Sequence, residues 1–255
     1  MLPEERLERI LERLKKNQML KVEDTAKEFN ISDMTVRRDF MKLEQRGLAK
    51  RCYGGISLKP DIALDITFQR RVGVNTESKQ AIAAYCYEHL IGDKHFIYLD
   101  AGSTVLFLAQ MLRKNHPDNL TIVTNDIVIA NALIDTNIQI IILGGCVQSG
   151  LGCIHGRTAE DQMNDLYLDA SFVSGLSLDA NLDLYAATED KVHLRQKILT
   201  QCKENYLLID SSKFGRQSIY RHHSLTSYDA TVSDKVLTPA EATLAESKGI
   251  RWISV

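Results

Sequence analysis

Residues 31–47 read ISDMTVRRDFMKLEQRG. Ser32 is suited to cap a helix, because its hydroxyl can accept from an otherwise free first-turn N–H. Gly47 stands where a helix of about four turns would need a left-handed residue to stop it. Between them Val36, Phe40 and Leu43 recur at i, i+4 and i+7 and make one apolar face. At about 100° per residue, Met34, Arg38 and Met41 point away from that face, with Thr35, Arg37 and Lys42 on its flanks. A short helix with a buried back and a Thr/Arg/Arg/Lys front suits insertion into a DNA major groove.

The flanking sequence supplies the rest of a DNA-binding unit. Leu7, Ile10, Leu11 and Leu14 form an apolar stripe behind Pro3, a residue favoured in a first helical turn. Residues 23–29 read as a second, short helix that turns Ala26 and Phe29 inward. After Gly47 the period changes, and LAKRCYGGISL reads as two short strands around Gly54-Gly55. Three helices and a hairpin make a winged helix-turn-helix, in which the second helix crosses the backbone and the third enters the groove. On this reading Ser32, Thr35, Arg37, Arg38 and Lys42 face DNA from the helix, and Lys50 and Arg51 contact phosphate from the wing. The competing reading leaves Arg37 and Arg38 as surface charges neutralised by Asp33 or Asp39.

Charge is distributed to match. Residues 1–57 hold 13 basic and 10 acidic side chains, a net of +3, and the remainder holds 18 and 23, a net of −5. With 255 residues, 44% of them hydrophobic, the chain has room for one large or two smaller domains. No run approaches the roughly 18 apolar residues of a membrane span, and the charged N-terminal helix lacks the apolar core of a secretory signal. The five cysteines are scattered, odd in number and without a C-x-x-C pair. They read as reduced thiols, and the expected compartment is the cytoplasm.

Residues 58–75 carry Pro60 and no sustained period, and read as a linker between a domain at 1–57 and another at 76–255. From Thr76 onward short Ile/Val/Leu-rich runs alternate with amphipathic helices, the pattern of a mostly parallel sheet covered on both faces. Ligands of such sheets bind outside the carboxyl ends of the strands. The residues that follow each run there are Asp100, Gly102, Ser103 and Thr104; Thr124 and Asn125; Gly144 and Gly145; and Asp210 and Lys213. Small, hydroxyl-bearing and carboxylate residues at one edge, with a helix opening at Ser103 to receive an anion, point to a phosphorylated polyol. Lys213 adds a point positive charge.

Phosphate-loop and dinucleotide patterns fail around Gly145–Gly156, where the required Lys and the required glycine spacing are missing. Cys146, Cys153 and His155 read as structural rather than as a metal site, and no metal or cofactor is expected. His222-His223 reads as exposed loop.

Arg6, Ile10, Leu14, Val22, Ser32, Thr35, Arg37, Arg38, Asp39, Leu43, Glu44, Gly47, Arg51, Tyr53, Gly54 and Gly55 together resemble the N-terminal domain of DeoR-type bacterial repressors. LDAGST, VTND, LGG, Gly152–Gly156 and IDSSKFG resemble that family's sensor domain. The resemblance implies a fold related to ribose-5-phosphate isomerase and the CoA transferases, and a phosphorylated sugar as effector. It adds Arg195 to the effector-binding candidates, as the match to a family lysine, although ATEDKVHLRQKI departs from the usual pattern there. The function it implies is repression of a sugar-utilisation operon through double-stranded operator DNA. A single weakly charged module needs a second copy, so a homo-oligomer, a dimer or tetramer, is expected on repeated half-sites. The rival is a sugar-phosphate isomerase with a DNA-binding appendage.

Overall fold

The computed structural model describes residues 3–17, 19–46, 48–58 and 68–255. Two compact units divide the chain, one built from its N-terminal part and the other from Asp65 onward apart from residues 216–219.

The first unit contains α1 (Pro3–Asn17), β1 (Met19–Lys21), α2 (Val22–Phe29), α3 (Asp33–Gln45), β2 (Ala49–Cys52) and β3 (Gly55–Leu58). The apolar stripes expected from periodicity meet in one core: Leu7, Ile10, Leu11 and Leu14 of α1 pack with Val36, Phe40 and Leu43 of α3. Ser32 caps α3, its Oγ accepting from the Thr35 N–H at 3.2 Å. Gly47 lies outside the described residues. β2 and β3 pair across Tyr53-Gly54, with Cys52 opposite Gly55 and Gly54 at φ +74°, the left-handed region in which glycine is least strained. A third strand, not evident from the sequence, joins them: β1 runs antiparallel to β3. A Cβ at Gly55 would sit 2.2 Å from the Leu20 carbonyl oxygen of that strand.

The second unit opens with α4 (Phe68–Val72) and α5 (Thr76–Cys86). Thus the end of the expected linker is helical, and Phe68 and Val72 pack against the large core. Then follow β4 (Phe96–Leu99), α6 (Ser103–Lys114), β5 (Thr121–Thr124), α7 (Ile127–Leu133), β6 (Gln139–Ile142), β7 (Cys146–Val147), β8 (Ile154–His155), α8 (Arg157–Asn164) and β9 (Leu168–Ser174). The chain continues through β10 (Ser177–Leu178), β11 (Asp183–Ala186), α9 (Glu189–Gln201), β12 (Cys202–Leu208), β13 (Tyr220–Ser224), β14 (Ala230–Ser233), α10 (Pro239–Ser247) and β15 (Trp252–Ser254).

Seven of these strands form one sheet in the order β15-β14-β12-β9-β4-β5-β6, and every pairing in it is parallel. Side chains alternate between its faces, as strand geometry requires. Ile97, Leu99, Ile122, Phe172 and Leu208 enter the core shared with α5, α6 and α7. Tyr98, Val123, Val173 and Leu207 enter the opposite core, with residues of α8, α9 and α10. Burial on both faces explains why the strands read as continuous apolar runs. Two small antiparallel additions, β7–β8 and β10–β11–β13, were not legible in the sequence. No described helix is long and apolar enough to cross a membrane.

Candidate functional site

In the first unit the exposed front of α3 is the expected one. Arg37, Arg38 and Lys42 are exposed, Thr35 is partly exposed, and Met34 and Met41 flank them in solvent. Asp39 does not neutralise either arginine. It is buried and accepts from Arg6 of α1, at 2.7 Å from Nε and 3.2 Å from Nη2. Lys50 is exposed on the wing. Arg51 is also exposed but is ion-paired: its Nε lies 2.5 Å from Glu44, which also accepts from the Arg51 backbone N–H at 3.0 Å. Glu44 of α3 thereby fixes the angle of the wing. Arg37 and Arg51 line one groove between α3 and the hairpin. Tyr53, at the wing tip, is fully exposed; its place between two strand signals and a Gly-Gly pair was the clue to that position.

In the second unit the chain runs outward from β4 through β5 to β6, then returns to the other side of β4 as β9 and continues to β12. The strand order therefore reverses between β4 and β9, and the loops leaving their carboxyl ends diverge into a crevice. Asp100 follows β4 and Ser174 ends β9. The Asp100 carboxylate accepts from the Ser174 backbone N–H at 3.1 Å and from Nη2 of Arg195 at 2.5 Å. Arg195, on α9, also donates to the Ser174 carbonyl at 2.9 Å and to the Tyr228 hydroxyl at 3.4 Å. Burial is the largest single influence and works against its charge, but the Asp100 carboxylate and the Tyr228 and Tyr98 hydroxyls together outweigh it and raise the guanidinium pKa.

Beside this pair α6 begins. Gly102 has extended backbone, so its conformation does not require glycine, but a Cβ there would lie 2.3 Å from Ser174 Oγ. Ser103 and Thr104 are buried in the first turn, whose N–H groups have no carbonyl one turn back. Asn125 braces the crevice: its Oδ1 accepts from the Ala101 N–H and its Nδ2 donates to the Ile154 carbonyl, both at 3.1 Å.

The pocket over the crevice is lined by Asp100 and Asn125 together with four cations, Arg71, Lys191, Arg195 and Lys213, and two histidines, His155 and His222. Cation excess at a helix N-terminus favours an anionic ligand. Several of these pocket-lining residues are not among the candidates that the sequence offers. Arg71 falls in the segment that reads as a linker, His155 in a cluster that reads as structural, and His222 lies on β13 rather than in an exposed loop. His155 Nδ1 is 2.7 Å from Asp190 in the first turn of α9.

Gly102, Ser103 and Thr104, also expected as effector contacts, stand behind Ala101 and do not line the pocket. Four further expected contacts have other roles. Thr124 is fully buried, and its hydroxyl donates to the Leu99 carbonyl at 2.7 Å and accepts from the Asp126 N–H, joining β5 to β4. Gly144 and Gly145 follow the edge strand β6 and do not line the pocket. Gly145, at φ +142°, starts the β7–β8 hairpin, and a Cβ there would meet the His155 carbonyl oxygen at 2.5 Å. Asp210 is buried, accepting from Asn75 at 3.0 Å and from Ser212 Oγ at 2.5 Å. It caps the short turn that carries Lys213 and so acts on the pocket indirectly. No cluster of metal-ligating side chains occurs among the described residues.

Residues 6–60 match the DeoR-like helix-turn-helix domain and residues 74–235 match the DeoR C terminal sensor domain. The HTH-type transcriptional regulator YgbI of Escherichia coli K12 is 32% identical over 92% of this chain and 91% of its own length. The glycerol-3-phosphate regulon repressor of the same organism is 30% identical over 88% of each chain. Among solved structures, ribose 5-phosphate isomerase A from Neisseria gonorrhoeae aligns with a TM-score of 0.39 at 14% identity, covering 60% of this chain and 56% of that one. Two family domains in tandem, and regulators matched over nearly their whole length, lead to one assignment: the chain belongs to the DeoR family and is a transcriptional regulator, not an enzyme.

Proposed function

We propose that this regulator represses a sugar-utilisation operon and that a phosphorylated sugar, bound at the carboxyl ends of β4 and β9, controls its affinity for operator DNA. The observation that carries the reading is the convergence of Arg71, Lys191 and Lys213 on a pocket beside the first turn of α6. A phosphate group is matched by ammonium and guanidinium donors together with free backbone N–H groups. Asp100 is held by Arg195, which suits an organising role better than proton abstraction and favours binding over isomerase chemistry. A relative named for the glycerol-3-phosphate regulon supports a phosphorylated effector.

On the DNA side, Thr35, Arg37 and Arg38 read base edges or adjacent phosphates, and Lys42 and Lys50 contact phosphate. A base-edge arginine contributes about 1–3 kcal/mol of discrimination. One such module carries little net charge, so stable binding calls for a dimer or tetramer on repeated half-sites. The protein works in the cytoplasm, where both its operator and its effector are found. The test is a thermal-shift panel of phosphorylated sugars and their unphosphorylated parents. Binding to the native state must raise the Tm, so at least one phosphosugar should stabilise the protein while its parent sugar does not. Equal responses to both members of every pair would refute a phosphate-reading pocket.

A further inference from the structure

We propose that Met34 reads the C5-methyl group of a thymine and so sets one position of the operator sequence, a role that rests on the reading of α3 as the recognition helix.

Single apolar side chains in solvent are ordinary on a protein surface. Here they are grouped. Among the described residues of the first unit, the large apolar side chains left exposed are Met19, Met34, Met41 and Tyr53. Three of these four lie on the front of α3 or at the tip of the wing, the surface that faces DNA. Met34 is the more exposed of the two methionines of α3, at 68% against 41% for Met41, and neither is part of the apolar core of the unit.

Position separates the two. Met34, Arg38 and Met41 stand at i, i+4 and i+7, within about 60° of arc at 100° per residue, and form one ridge with a guanidinium between two thioethers. A recognition helix meets base edges with its N-terminal residues. Met34 is the second residue of α3 and Met41 the ninth. Arg37, Arg38 and Lys42 are exposed around them, and cations in that number favour a nucleic acid over an apolar protein partner.

The major groove offers such a side chain one apolar group, the thymine methyl; the other three bases present donors and acceptors there. A thioether chain is unbranched and adapts its shape to a methyl group. It has no donor and only a weak acceptor, so it cannot replace the water lost from a cytosine amino group or a purine edge. Discrimination then comes from burying one methyl group.

The experiment uses the full chain and the duplexes that it enriches from a random-sequence DNA library. Each thymine of the tightest duplex is replaced in turn by deoxyuridine, which removes only the methyl group. For the wild type, at least one replacement should weaken binding by about three- to fivefold. That replacement should have no effect on Met34→Ala. It should also have none on Met34→Gln, which keeps the length of the side chain but not its apolar surface. Met41→Ala should keep the wild-type response at that position. Because Met34 is exposed, Met34→Ala should melt within about a degree or two of the wild type.

A methyl dependence that Met34→Ala retains, or that Met41→Ala also loses, overturns the role of Met34 and leaves the recognition helix standing. So does wild-type binding that no deoxyuridine weakens, or a Tm of Met34→Ala lower by several degrees. Enrichment of no duplex by the wild type overturns the DNA-side reading as well.

Discussion

The Arg195 guanidinium lies 2.5 Å from the Asp100 carboxylate, and both side chains are close to fully buried, at 11% and 8% exposure. The pair joins α9 to the carboxyl end of β4 through the Ser174 backbone, so the floor of the pocket is set before a ligand enters. Removing one partner leaves an uncompensated charge, which costs about 3–5 kcal/mol. Arg195→Ala should lose stability on that scale in urea denaturation, and Arg195→Met combined with Asp100→Leu should recover most of it. A loss below about 1 kcal/mol in the single variant would mean that the pair is merely superficial.

The two neighbouring charges Arg38 and Asp39 should separate cleanly by experiment. Asp39 is buried against Arg6, so Asp39→Ala should destabilise the helix-turn-helix unit by about 3 kcal/mol. Arg38 is exposed, so Arg38→Ala should leave the Tm within about a degree or two, since surface changes fall within roughly 0.5 kcal/mol. It should nevertheless abolish specific operator footprinting. Retained footprinting by that variant removes Arg38 from the recognition surface.

Gly102→Ala places a methyl group 2.3 Å from Ser174 Oγ and 2.6 Å from its Cβ. Ser174 is short and part of β9, so the loop after β4 must move instead. The expected result is a modest fall in Tm and a much larger fall in phosphosugar affinity, read by calorimetric titration. Wild-type affinity would show that the start of α6 does not touch the ligand.

Asp126 supplies a pH test. Burial pushes its carboxyl up to about 6, against the helix-capping N–H groups of Val128 and Ile129 that pull it down. The folded-state pKa thus exceeds the unfolded one, and the ionised form is the one the fold disfavours. Below about pH 4 both states are protonated and no penalty exists; it grows between pH 4 and 6 and is complete above that. Asp126→Asn retains a capping oxygen and removes the titration. The stability of Asp126→Asn relative to wild type should therefore increase by up to about 3 kcal/mol between pH 4 and pH 7. A difference independent of pH would contradict the buried position of this carboxyl.

Much of this protein is readable from local signals. The i, i+4, i+7 spacing of Val36, Phe40 and Leu43 and the Ser32 cap located α3, because a helix on a core records its environment with a 3.6-residue period. The continuous apolar runs mark the strands for a different reason, the burial of both sheet faces. The sheet edge that carries the pocket is also legible, and Asp100, Asn125, Arg195 and Lys213 do meet there. Thr124, Gly144, Gly145 and Asp210 share the residue types of a binding site but serve as a strand link, a hairpin start and a cap. Residue type alone does not separate a hydroxyl facing a ligand from one facing a carbonyl. Arg71 and His222 are not legible for the opposite reason: they enter the pocket from α4 and β13, outside the seven-stranded sheet whose strand ends carry the sequence signal.

The most direct measurement is the affinity of the intact chain for fluorescent DNA carrying its operator, with and without a saturating phosphosugar. The sugar should weaken wild-type binding by at least tenfold, a coupling of about 1.4 kcal/mol, and Gly102→Ala should bind the operator normally but no longer respond. An operator affinity that no phosphosugar changes, while phosphosugars still raise the Tm, would contradict the claim that this pocket governs DNA binding.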